Sequence, residues 1–485
     1  LHDRYIPKVL RNVAHRVLTA GKYLSVVKGC IENGLNRKAF VTPDGESHDG
    51  GAIDLELPPQ QELVLDSEGS VNGLTSIVEA AYRYSSKALL RLLEEGHGMS
   101  SHLVSLSRFF LLEHGDFFVQ FMDTAGVELR RDVKDIAVHR IQTLLQSALA
   151  SSTLHNDPHK DALSCSLAST NLIQHLHMIQ TAGTDEAATL SSLGLDASSI
   201  LSDGGGVGAV SQGLKGVEAL TLDYAVAWPM NLVLSRRAVI KYQLLSRLLF
   251  FSKHVETRVL STWSDHQSTK ELDVRESMGP AFSLRHRMLH FLHNFVYYIS
   301  LEVISPRGHE MKEGLAEAVD MDEVLGLHER FLDTCLKECL LASQSLLANL
   351  TKIMTTCLLF ADNMKIFAEQ SSVTSKKGVL HTLAAAKNDG DDGASGSTAV
   401  KAVTSFSTVI GGKTVEVVEY RDVGAARRAR LNTQSAYVKR ESEHEGFQKM
   451  IRKFESTFDK QLSDFMESLW QDSFRQHPQL ANLCT

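Results

Sequence analysis

The sequence predicts an all-α protein of elongated, stacked helical bundles, with at most a small β-hairpin near residues 220–234. Three observations carry this. Apolar residues recur at three- and four-residue steps along most of the chain, the signature of one-sided helices. Only 9 prolines occur in 485 residues, so long helices are seldom interrupted. One central stretch, Leu220–Tyr242, reads LTLDYAVAWPMNLVLSRRAVIKY and breaks the helical period without becoming a linker.

In chain order, Tyr5–Val27 puts Ile6, Val9, Leu10, Val13, Val17 and Leu18 on one helical face. Asn36–Gly73 holds Asp44-Gly45, Asp49-Gly50-Gly51 and Pro58-Pro59 and reads as an acidic loop. Leu74–Gly96 is helical, and Leu103–His114 follows after Gly96 and Gly98. Gly115 reads as the C′ residue of that helix and Asp116 as the N-cap of Phe117–Leu129. Phe109, Phe110, Phe117, Phe118 and Phe121 should pack near this junction. Asp135–Ser151 and Leu172–Ile179 are further helices, and Thr181–Lys215 is a Gly/Ser/Asp-rich surface loop.

In the central stretch Leu220, Leu222, Tyr224 and Val226 alternate, as do Leu232 and Leu234, which suggests a two-stranded corner. Pro229 bars a helix from crossing it, and Ser235 reads as the N-cap of Arg236–Trp263. Helices follow at Ser283–Ile304, then at Asp322–Leu341 and Gln344–Phe367, read as an antiparallel pair. Ser371–Lys413, with NDGDDGASGS, is a low-complexity linker. Val415–Tyr420 fits a short strand, and Val423–Leu469 closes the chain as helix.

The formal charge of −8 disfavours a general nucleic-acid binder, which is usually basic. No uninterrupted apolar run of about 18 residues predicts a membrane span. Six cysteines without a C-x-x-C pair read as reduced thiols of an intracellular protein. The first residue is Leu, so the chain reads as a fragment.

No catalytic, cofactor or metal set stands out. His286-x-x-x-His290-x-x-His293 shares one helical face, but that face lies opposite the apolar stripe and Arg287 stands where a zincin helix carries Glu. A metal-dependent hydrolase is therefore the weaker alternative. Gly204-Gly205-Gly206-Val207-Gly208 lacks the Gly-Lys-Ser/Thr ending of a phosphate loop. Cys335 and Cys339, one turn apart, read as a small apolar stripe. At 100° per residue Glu302 falls inside the apolar face of its helix, as a buried salt bridge or a contact at an interface. Arg236, Arg237, Lys241 and Arg247 head a helix whose dipole they oppose, which makes them candidates for an acidic partner.

Five ordered blocks carry a family resemblance: RFFLLEHGDFFVQFMD at Arg108–Asp123, the whole of Leu220–Tyr242, LRHRMLHFLHNFVYYISLEVI at Leu284–Ile304, HERFLDTCLKECLL at His328–Leu341, and Cys357-Leu358-Leu359-Phe360. Together they resemble the C-terminal module of the gamma-tubulin complex protein family. The resemblance implies a non-catalytic scaffold without cofactor that binds gamma-tubulin and helps template microtubules. It implies other gamma-tubulin complex components as partners, component three as the lateral neighbour, and microtubules indirectly, with no nucleic acid and no membrane insertion. The implied place is a cytoplasmic microtubule-organising centre or spindle pole. Residues 1–35 would end the lateral-contact module and 36–73 form an insertion. Residues 74–370 and 414–485 would form the gamma-tubulin-binding module, split by the 371–413 linker. Gly115, Asp116, Phe117, Phe118, Trp228, Pro229, Arg236, Arg237, Lys241 and Glu302 are the partner-binding candidates. A helical tethering scaffold of vesicle trafficking is the alternative from another class.

Overall fold

The computed structural model describes residues 8–32, 71–181, 214–267, 272–388, 404–410, 413–419 and 445–475, with side chains over 14–30, 78–176, 214–262, 278–367 and 446–471. The expected loops at 36–73 and 181–215 fall almost wholly outside these residues, as does Cys484. The fold class is as expected, nearly all helix with small two-stranded pieces. Among the described residues no helix is long and apolar enough to cross a membrane.

The order is α1 (Lys8–Glu32), α2 (Val71–Arg91) running into a π turn (Leu92–Gly96), α3 (Met99–Phe110), α4 (Gly115–Leu129), α5 (Val138–Ser151), β1 (Leu163–Leu167), α6 (Leu172–Thr181) and β2 (Leu220–Tyr224). Then come α7 (Arg236–Gln267), α8 (Leu272–Tyr297), a π turn (Tyr298–Ile304), α9 (Ser305–Glu317), α10 (Met321–Glu338), α11 (Gln344–Asn388), β3 (Thr404–Ile410), β4 (Lys413–Glu419) and α12 (Glu445–Arg475). They divide into two compact units, residues 1–251 with 297–344, and residues 252–296 with 345–485.

In the first unit the aromatic junction forms as expected: Phe109, Phe110, Phe117, Phe118 and Phe121 are all buried. Phe118 and Phe121 meet Phe250 edge-on, and Phe110 meets Tyr242, so α3 and α4 pack on α7. Each such ring contributes about 1.5–3 kcal/mol by leaving water. α10 turns Val324, His328, Phe331, Leu332 and Cys335 inward at helical spacing.

Three local expectations need correction here. The partner of β2 is β1, antiparallel, with Leu222 opposite Cys165, while Met230–Leu232 forms a 3₁₀ turn instead of a second strand. Leu163, Cys165 and Leu167 carry the same alternation as β2 but lie 57 residues earlier in register, so a local hairpin reading misses them. Next, Gly115 does not end α3 and Asp116 does not cap α4. Leu112 takes the left-handed conformation after α3 at φ 55°, and Asp116 sits inside the first turn of α4. Finally, α11 continues to Asn388 and β3 occupies 404–410, within the span expected to be linker.

The second unit holds the later part of α7, most of α8, α11 and α12. Phe291 meets Phe458 and Phe465 edge-on, Phe360 meets Phe454, and Phe367 meets Phe447. Arg258 pairs with Asp362, and Arg287 with Asp459 and Glu455. The ring pairs supply burial and the ion pairs fix which helix faces meet. The β3–β4 hairpin runs antiparallel with Phe406 opposite Val417.

Candidate protein-binding interface

The central corner is built around Asp223. Its Oδ1 accepts from Arg236 Nη1 at 2.9 Å and from Gln243 Nε2 at 3.0 Å. Ser235 caps α7 as expected, its hydroxyl accepting from the Ala238 amide at 3.2 Å. Strand β2 and the first two turns of α7 are thus joined through one carboxylate. Trp228-Pro229 is a cis peptide; Pro229 is buried and Trp228 is 41% exposed. The indole lies over Gly29 of α1, where a Cβ would stand 3.4 Å from its ring.

The basic head of α7 is largely answered within the chain. Lys241 Nζ lies 2.6 Å from Asp333 and 3.5 Å from Glu329, both on α10. Tyr242 shares a 3.1 Å hydrogen bond with the buried His328 below them. This resolves the conflict with the helix dipole, because acidic side chains from β2 and α10 offset the basic residues. Arg237 is exposed. Arg247 departs from the expected basic face altogether. It is buried at 4% exposure, and donates to the carbonyls of Thr170 (2.8 Å) and Glu218 (2.9 Å) and to His175 Nδ1 (3.0 Å). Burial lowers its pKa to about 10. Burial, reinforced by the Arg247 charge, also holds His175 at about 4.

The other candidates divide by exposure. Phe117 and Phe118 are core and shape a surface only from beneath it. Gly115 is exposed, and Asp116 accepts from the Thr153 amide at 2.8 Å, which holds its carboxyl below the usual range. Glu113, two residues before Gly115, lies 4.0 Å from Lys312 of α9. Glu302 is exposed, against the expectation of burial. The π turn at Tyr298–Ile304 adds to the residues per turn and breaks the 100° count, which would put Glu302 inside and Ile304 outside; instead Glu302 is exposed and Ile304 buried. π turns occur often at functional sites.

His286, His290 and His293 are exposed as expected, and His293 Nε2 lies 2.7 Å from Glu256. Among the described residues no cluster of three or more His, Cys, Asp or Glu could hold a metal ion. Cys335 and Cys339 are buried free thiols; burial pushes Cys335 up to about 12, away from reactive thiolate.

Comparison with known proteins decides the family. Residues 99–485 match the family described as gamma tubulin complex component C-terminal. The chain belongs to that family. It is 34% identical to gamma-tubulin complex component 2 of Mus musculus across 77% of this chain and 38% of the relative. It is 30% identical to spindle pole body component alp4 of Schizosaccharomyces pombe across 76% of this chain and 49% of the relative. Against gamma-tubulin complex component 3 of Homo sapiens identity is 25%, across 71% of this chain and 34% of the relative. Identity is thus higher to this component 2 than to this component 3. The chain spans at most about half the length of these relatives. All of the corner, the head of α7, the second π turn and α10 fall inside the matched region of this gamma tubulin complex component family member.

Proposed function

We propose that the chain is a non-catalytic scaffold subunit that binds gamma-tubulin and helps template microtubule nucleation at minus ends. Family membership over residues 99–485 is the observation that supports this reading. Its partners are gamma-tubulin and other gamma-tubulin complex components, with component three beside it, at a microtubule-organising centre or spindle pole. The candidate surface comprises Gly115, Asp116, Trp228, Arg236, Arg237, Lys241 and Glu302, shaped from beneath by buried Phe117, Phe118 and Pro229. A stable interface buries about 1,200–2,000 Å² and takes roughly 20–30 residues a side, so these positions are anchors within a larger surface. Exposed Arg237 and Glu302 are the direct probes. Arg237→Glu combined with Glu302→Lys should weaken gamma-tubulin binding at least about tenfold. Unchanged affinity would remove these positions from the interface.

A further inference from the structure

The family match begins at residue 99, yet α1 and α2, which precede it, are tied directly to α10 inside it. Tyr23 of α1 donates its hydroxyl to Asp322 Oδ1 at 2.7 Å, and Tyr82 of α2 donates to Oδ2 of the same carboxylate at 2.5 Å. Each oxygen of Asp322 therefore serves a different helix. Both rings are 5% exposed and their centroids lie 6.4 Å apart, whereas Asp322 stands at the exposed N-terminal turn of α10. A carboxylate is favoured there by the helix dipole, and bonds to a charged acceptor are about twice as strong as neutral ones. One residue earlier the Met321 amide donates to Ser86 Oγ of α2 at 2.6 Å, fixing the axial position of α10 against α2. Arg16 of α1 pairs with Glu79 of α2 at 2.9 Å and lies 5.7 Å over the Tyr82 ring, holding the two helices to each other.

We propose that Asp322 is a latch. It is a positioning residue that fixes the α1–α2 pair on the end of α10, so that these two helices move as one body with it. α10 also carries Glu329 and Asp333 against Lys241, and Glu338 against Arg307 of α9 at 3.1 Å. The pose of α1 and α2 is thereby referred to the same helix that orients the head of α7 and the start of α9. Apolar packing alone would let the pair slide; two directional bonds to separate oxygens define its angle.

Hydrogen exchange of the full 485-residue chain tests this, comparing wild type with Asp322→Ala and with the double variant Tyr23→Phe/Tyr82→Phe, which keeps both rings and removes only the hydroxyls. Both variants should exchange about tenfold faster or more at the amides of residues 14–30 and 78–91, the least that losing a charge-assisted bond implies. Rates in α7 and α12 should stay at wild type. Unchanged rates in α1 and α2, or an equal rise throughout the chain, would overturn the latch. Neither outcome depends on gamma-tubulin binding.

Discussion

Arg236 and Asp223 are joined at 2.9 Å, so the first residue of α7 is anchored to the strand that precedes the cis-proline turn. Gln243, two turns along α7, reaches the same oxygen. The strand therefore sets the rotation of the helix as well as its start. Asp223→Ala removes both bonds at a part-buried acceptor and should destabilise by about 1.5–3 kcal/mol. A denaturant midpoint shift at constant slope measures it; a cost below about 0.5 kcal/mol would make the carboxylate a bystander.

Trp228 lies between core and surface. A fully buried tryptophan truncated to alanine costs about 3–5 kcal/mol. At 41% exposure, with its ring tip against Gly29, Trp228→Ala should cost about 1–2 kcal/mol. Thermal melts and gamma-tubulin binding of this one variant separate its two roles: the melt reports the seat on α1 and the binding reports the exposed edge.

Two leucines occupy a helix-ending conformation that glycine adopts freely. Leu340, at φ 65° and 1% exposed, closes α10 with bonds from its own amide to Lys337 O and from Leu341 to Leu336 O. An L-residue there sacrifices about 1–2 kcal/mol of backbone energy, which burial of the side chain offsets. Leu340→Ala keeps the strain and loses the packing, so it should cost about 2–5 kcal/mol. Leu340→Gly loses the packing but relieves the strain and should cost less than alanine. The reverse order in a stability series would refute this account of the C-terminus.

Acid should weaken the first unit. Burial holds His175 and His328 at about 4, each reinforced by a nearby cation, Arg247 for the former and Lys241 for the latter. The unfolded chain, near the ordinary value of 6.5, takes up these protons first. Stability is therefore complete above about pH 6.5 and falls as pH drops toward 4, by on the order of 1–3 kcal/mol for each histidine. Glutamine at position 328 should flatten part of that slope in melts recorded across the range.

Much of this architecture was legible because helices declare themselves locally. The stripes over α7 and α8, the aromatic junction of α3 and α4, and the Ser235 cap all follow from spacing within a few residues, whereas α1 leaves Val17 and Leu18, expected on its apolar face, exposed and buries Tyr23, Val26, Val27 and Cys30 instead. What spacing cannot supply is a partner distant in sequence. β1 and β2 alternate alike, yet neither sequence names the other. Glu302 shows a second limit, since one π turn breaks the angular count on which its burial was inferred. α9 gives a third: only Met311 of its residues is buried, so it presents no apolar stripe to read. For the candidate site, residue types at the α7 head were readable. Their compensation by Asp223, Glu329 and Asp333 was not, because those carboxylates arrive from β2 and α10.

The proposed function rests on binding of gamma-tubulin through the region that matches the family. Sedimentation of the folded 485-residue chain with purified gamma-tubulin, both at micromolar concentration, tests it most directly. A discrete complex is expected, retained by the Tyr23→Phe/Tyr82→Phe variant and weakened by the Arg237→Glu/Glu302→Lys variant. Separate boundaries for the two wild-type proteins, each shown to be folded, would contradict it.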